Sequence, residues 1–138
     1  MELIISDIPD QAVEKQVLDG LWGYNHVFSP VDIHPFRIVM KDSSKKLQGG
    51  IIARTWWGGL EIQYLWIAEI FRGKGFGRTL MAITEGEAIK RDCHFAYVDT
   101  LSFHALGFYK NLGYSEYGSL SGFAHTFSRH YLVKQFRQ

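Results

Sequence analysis

The hydrophobic and polar positions divide the chain into an opening helix, a run of strands, a strand-turn-helix-strand unit, and a closing helix with two strands. Leu3 to Ser6 is β-prone and predicts a short strand. Pro9-Asp10 then offers a helix start, and Ala12, Val13, Val17, Leu18 and Leu21 recur near helical spacing to about Trp22. Gly23 to Phe36 carries two prolines, two histidines and three aromatics in no regular order, which predicts a loop or a broken helix. Arg37 to Met40 reads as a strand, Asp42 to Lys46 as a polar turn, and Leu47 to Trp57 as a strand interrupted by Gly49-Gly50. Gly58-Gly59 is the next tight turn, and Leu60 to Ile67 the strand after it, so three consecutive strands are expected to be antiparallel.

The pattern then changes. Phe76, Leu80, Ile83, Thr84 and Ala88 form an apolar stripe at helical spacing, with Lys90 and Arg91 in the last turn where cations suit the helix dipole. Phe95 to Val98 is a short strand, and Phe103 to Leu112 is a helix closed by Gly113. Tyr114 to Tyr117 and His130 to Phe136 are strand candidates. The strand-helix-strand unit over residues 62–98 should be a right-handed parallel crossover. Antiparallel hairpins on either side of it predict an α/β fold with a mixed sheet flanked by helices, organised as a single domain over residues 1–138.

Composition narrows the function. Hydrophobic residues make up 46% and charged residues 21%, ordinary values for a soluble globular protein, and no apolar run reaches a membrane span. A formal net charge of +1 argues against a nucleic-acid or anionic-membrane partner, and Arg72, Lys74, Arg78, Lys134 and Arg137 are too sparse to form a basic face. The one cysteine, Cys93, cannot make an internal disulfide and reads as a small buried hydrophobe. No leader pattern opens the chain, so a cytoplasmic location is expected. The histidines and Cys93 lack zinc-site spacing, so no metal is expected.

Between the strand ending at Ile67 and the helix from Phe76 lies Arg72-Gly73-Lys74-Gly75-Phe76-Gly77. Its glycines let backbone N–H groups close on an anion, and the following helix start adds partial positive charge. A Walker loop would need Ser or Thr after Gly-Lys, where Gly75 stands. A dinucleotide fingerprint would need a third glycine where Arg78 or Leu80 stands. The spacing Arg72-x-x-Gly75-x-Gly77 instead resembles the acyl-CoA pyrophosphate loop of the GNAT superfamily of N-acetyltransferases. A second segment, Ala105-Leu106-Gly107-Phe108-Tyr109-Lys110-Asn111-Leu112-Gly113-Tyr114, is similar to that superfamily's downstream signature. The likeness runs from about Ile51 to the C-terminus.

The resemblance implies a centrally splayed sheet that binds acetyl-CoA as co-substrate, and acetyl transfer to an amine by direct attack in a ternary complex. A catalytically idle acyl-CoA-binding or regulatory domain is the alternative. In this likeness Arg72, Gly73, Lys74, Gly75, Phe76, Gly77, Arg78 and Thr79 hold the pyrophosphate. Leu65, Trp66 and Ile67 border the donor on the splayed strand, with a backbone N–H near Leu65 for the oxyanion. Tyr109 would protonate the leaving thiolate. Ser102 stands where the superfamily often has an asparagine that contacts CoA. Glu61 is the candidate base, since a carboxylate near the amine would take its proton; Glu69, at the loop shoulder, is its rival. Trp56, Trp57 and Trp66 alternate along the central strands, one face in the core and the other available to an acceptor. Tyr24, His26 and Phe28 offer stacking and hydrogen bonds and are the expected acceptor-binding residues. Acceptor identity and oligomeric state are left open by the sequence.

Overall fold

The computed structural model describes residues 1–136. Arg137, named above among the basic residues, lies outside them. The chain forms two compact units, the first Met1–Val31 and the second starting at Asp32.

In the first unit, helix α1 spans Gln11–Asn25. Asp10 caps it, its carboxylate accepting the Val13 N–H at 3.1 Å, so the expected start holds while the helix runs three residues past Trp22. The strand expected over Leu3 to Ser6 does not form; these residues are exposed and unpaired with any strand. β-propensity alone cannot make a strand without a partner edge to supply its hydrogen bonds.

The second unit is a six-stranded mixed sheet. Its elements are β1 (His34–Lys41), β2 (Leu47–Trp56), β3 (Gly59–Ile67), α2 (Phe76–Lys90), β4 (Phe95–Leu101), α3 (Leu106–Asn111), β5 (Ser115–Phe123) and β6 (Phe127–Gln135). Strand order is β1-β2-β3-β4-β6-β5, antiparallel throughout except for the parallel β3–β4 pair at the centre. The β2–β3 turn is Trp57-Gly58, both at positive φ, rather than Gly58-Gly59. Gly59 is already in the strand, where a Cβ would fall 2.6 Å from the Phe95 ring. The last two strands are longer than their hydrophobic pattern suggests, because Ser115 to Phe123 is polar and exposed along nearly its whole length.

The core lies on one face of this sheet. Ile51, Ala53, Leu60, Ile62, Ala96, Val98 and Leu132 point to it from the strands, and Met81 and Ala88 meet them from α2. Glu85 of α2 accepts the Tyr114 hydroxyl at 2.9 Å and the Lys134 ammonium at 2.7 Å, tying the helix to the segment after α3 and to β6. Arg91, just past α2, donates to the His34 carbonyl and lies 4.4 Å over the Phe36 ring, tying the other end to β1.

The central pair comes apart. β3 and β4 are in register only from Gly59 opposite Phe95 to Ile62 opposite Val98, although β3 continues to Ile67 and β4 to Leu101. The β2–β3 register slips between Ile52 and Ala53, leaving Gln63 as an extra residue just where the pair opens. A bulge bends and twists its strand, which accounts for β3 leaving its parallel neighbour here.

Candidate active site

Around the opened end of the β3–β4 pair, three cavities that share wall residues follow one another through the second unit. The first, about 420 Å³, lies against the glycine turn and is lined by Leu65, Ile67, Phe71, Arg72, Gly73, Gly75, Phe76, Gly77, Arg78, Ala105 and Phe108. The second, about 360 Å³, is the gap between β3 and β4 and shares Leu65 and Ala105 with the first. The third, about 250 Å³, opens on the sheet face opposite α2 and shares Ile62, Gln63, Tyr64, Val98 and Asp99 with the second.

The turn owes its shape to Gly73 and Gly75, whose φ values of 74° and 87° lie in the left-handed region where a Cβ is strained. Gly75 is the N-cap of α2, so the helix begins with its N–H groups at this cavity. Arg72 donates from Nε to the Ile67 carbonyl at 2.8 Å, closing the turn onto the end of β3. Thr79 does not line the cavity; its hydroxyl donates back to the Gly75 carbonyl at 3.1 Å and steadies the first helical turn. Lys74 also lies off the wall, 5.8 Å from the Phe71 ring. Gly77 serves packing: a Cβ there would fall 3.1 Å from Phe108 Cζ.

Tyr109 enters the second cavity from α3 at 5% exposure, alongside Leu65, Trp66, Thr100 and Leu101. Burial, and then the negative charge of Asp99, push its phenol up to about 12. The hydroxyl therefore holds its proton at neutral pH. Ser102 is not on this wall. Its hydroxyl accepts the Ser128 N–H at 3.2 Å and its N–H donates to the Ser128 carbonyl, so it fastens the end of β4 to β6.

The third cavity holds two carboxylates, each with an arginine. Glu61, on the paired part of β3, accepts from Arg54 Nε and from the Tyr97 hydroxyl at 3.1 Å; Tyr97 in turn accepts the Trp56 indole N–H at 2.9 Å. Burial raises the Tyr97 phenol to about 12, with the Glu61 charge adding to it, so the hydroxyl remains a donor to Glu61. Asp99 takes the Arg129 fork, Nε to Oδ1 at 2.9 Å and Nη2 to Oδ2 at 2.8 Å. Glu69 sits in a short 3-10 turn, Glu69–Phe71, and lines none of the three.

Tyr24, His26 and Phe28 belong to the first unit. Phe28 meets Tyr24 edge to face at 5.4 Å, and His26 Nδ1 accepts the Val31 N–H at 3.2 Å. Cys93 is buried, and burial raises its thiol pKa.

Asp99 and Arg129 lie just outside the strands expected from the sequence, one residue past Val98 and one before His130, while Tyr97 lies inside its strand with no motif to mark it. The alternation Ala96, Val98, Thr100 buried against Tyr97 and Asp99 outward runs on past Val98, and followed to Leu101 it places both on one face.

Residues 13–114 match the acetyltransferase (GNAT) family. The chain is 34% identical over 137 residues to Acetyltransferase Atu2258 of Agrobacterium fabrum (strain C58 / ATCC 33970), covering 99% of this chain and 100% of that protein. A crystal structure of an Agrobacterium tumefaciens protein described as an acetyltransferase superposes with a TM-score of 0.92 at 34% identity, over 99% of this chain and 100% of that one. A Bacillus anthracis protein described as a streptothricin acetyltransferase, solved in complex with acetyl coenzyme A, shares the fold at a TM-score of 0.67 and 17% identity, over 75% of this chain and 64% of its own. With its opened β3–β4 pair, its glycine turn on a helix start and these likenesses, the chain belongs to the GNAT family of acetyltransferases.

Proposed function

We propose that the chain transfers the acetyl group of acetyl-CoA to a primary amine, by direct attack while both substrates are bound. The observation that carries this reading is the row of three cavities with shared walls, from the glycine turn, through the gap between β3 and β4, to the cavity that holds Glu61 and Asp99. A long donor with an anionic end and a reactive thioester end suits such a path. Its pyrophosphate fits the turn, where Gly73 and Gly75 leave backbone room and Arg78 adds charge. Its amide-bearing arm fits the gap, where β3 residues from Leu65 to Ile67 have no β4 partner for their backbone groups. The oxyanion donor expected near Leu65 belongs to this stretch.

Tyr109 keeps the acid role in this proposal, since its protonated hydroxyl stands on the wall of the gap. Glu61 fits less well as a free base, because its oxygens accept from two separate partners, Arg54 and Tyr97, and its side chain is only 21% exposed. Tyr24, His26 and Phe28 remain proposed acceptor-binding residues on their chemistry and place in the chain; single alanine changes that raise acceptor KM, with acetyl-CoA binding unchanged, would support them. The test of the whole reading is thiol release from acetyl-CoA with a panel of small primary amines. Amine-dependent release supports it, whereas tight CoA binding without turnover would mark an idle acyl-CoA-binding domain.

A further inference from the structure

Asp99 is the first β4 residue beyond Val98, the last that is in register with β3, and it stands where two cavities meet. It lines both the gap that holds Tyr109 and the outer cavity on the opposite sheet face. No other carboxylate among the described residues lines both. Arg129 grips it through two parallel hydrogen bonds of 2.9 and 2.8 Å, a fork that fixes the plane of the carboxylate. The two side chains are still 43% and 40% exposed, so the outward lone pairs of Asp99 face open space. Glu61 is also paired with an arginine, Arg54, but differs in place and exposure. It stands within the hydrogen-bonded part of the strand pair, lines only the outer cavity, and is 21% exposed.

We propose that Asp99, oriented by Arg129 at the mouth of the opened strand pair, docks the ammonium group of a small cationic acceptor and takes the proton that its nitrogen loses. The inference rests on the amine-acetylation reading above. Asp99 first takes one ammonium proton and releases it to solvent through its exposed side, leaving a neutral nitrogen; that nitrogen then forms a bond to the thioester carbonyl carbon and the C–S bond breaks. The N–H proton passes to Asp99, and the thiolate takes the Tyr109 proton. Because Asp99 and Tyr109 line one gap, the proton on Asp99 can return to the Tyr109 phenolate through it, leaving amide, thiol and both side chains as they began. The field of Asp99 already reaches that phenol, adding to the effect of burial on its acidity. The outer cavity, about 250 Å³, lies just below the range of drug-sized ligand sites, which run from roughly 300 to 1,000 Å³, so it suits only a small acceptor. Its aromatic walls, Tyr64 and Tyr97, suit a compact cation.

The test uses the full chain with acetyl-CoA and two kinds of acceptor near neutral pH. Tyramine, spermidine, glucosamine and lysinamide are cationic; hydroxylamine is largely neutral and needs neither ammonium docking nor loss of a proton before it attacks. Asp99→Asn should lower kcat/KM for the best cationic amine by about 10²-fold or more. It should lower the hydroxylamine rate far less and leave CoA affinity by calorimetry unchanged, while Asp99→Glu restores part of the loss. If Asp99→Asn loses CoA binding, Asp99→Glu, which keeps the charge, decides by retaining the preference for cationic amines. Equal losses on both acceptor kinds, or full activity in Asp99→Asn with loss in Glu61→Gln, would overturn the assignment while leaving acetyl transfer intact. A parent protein inactive with every amine would instead overturn the acetyl-transfer reading, and this inference with it.

Discussion

Gly77 and Phe108 meet where the glycine turn passes into α2: a Cβ on Gly77 would fall 3.1 Å from Phe108 Cζ and 3.4 Å from Ile67 Cδ1. Phe108 also packs edge to face on Tyr109, ring centroids 5.1 Å apart, so the proposed phosphate cradle and the proposed acid share a packing partner. Gly77→Glu should abolish CoA binding, because the side chain would fill the cavity and bring negative charge to the helix start. Gly77→Ala should weaken it only several-fold, since Phe108 must yield by a few tenths of an ångström. Calorimetry with CoA reads both; a folded Gly77→Glu protein that binds CoA like the parent removes the cradle assignment.

Tyr109→Phe keeps the ring contacts with Phe108 and Tyr114 but deletes the proton. Turnover should fall by about 10²-fold or more, with acetyl-CoA KM nearly unchanged, because the proton is needed only as the thiolate departs. Steady-state kinetics under chemistry-limited conditions decide. An unchanged kcat would make Tyr109 a packing residue.

Glu85 concerns stability rather than chemistry. Its side chain is 13% exposed and is the shared acceptor of Tyr114 and Lys134. Glu85→Ala strands a phenol and an ammonium near the core and should cost about 2–3 kcal/mol in urea unfolding. Glu85→Gln, whose amide oxygen still accepts, should cost less. Equal stability of all three proteins would show that the bridge contributes nothing.

Alkaline pH should unfold the protein earlier than exposed tyrosines would predict. Burial raises the phenols of Tyr109, to about 12, and of Tyr114 further still, helped in the latter by Glu85. An unfolded phenol titrates near 10. A group whose folded pKa is raised contributes stability that is fully present below the unfolded value and is lost as pH climbs toward the folded one. Stability should therefore fall above about pH 10, each buried phenol adding up to ~1.4 kcal/mol per pH unit. Urea midpoints between about pH 9 and pH 11 measure the slope, which Tyr109→Phe should reduce.

The local features of the proposed donor site were legible in the sequence. Arg72-x-x-Gly75-x-Gly77 sits between a strand and a helix as its spacing requires, because left-handed φ at Gly73 and Gly75 and close contact at Gly77 are demands that only glycine meets without strain. The helix after it and the buried tyrosine of the second motif follow from periods of 3.6 and from short-range signals of the same kind. The opening of β3 from β4 was expected from the family resemblance alone and from no residue pattern of the strands themselves. It depends on Gln63 being the extra residue against β2, and a register slip leaves no mark in one strand's own composition. Long-range pairing likewise decided the acceptor side. Arg129 and Asp99 are 30 residues apart and only the sheet brings them together. Ser102 reads as a ligand contact in the linear motif and becomes a strand fastener once β6 supplies Ser128. The chain by itself settles where backbone must bend and where apolar faces must be buried; which polar groups face one another across the gap is decided by strand order and register, which bring together residues the sequence keeps apart.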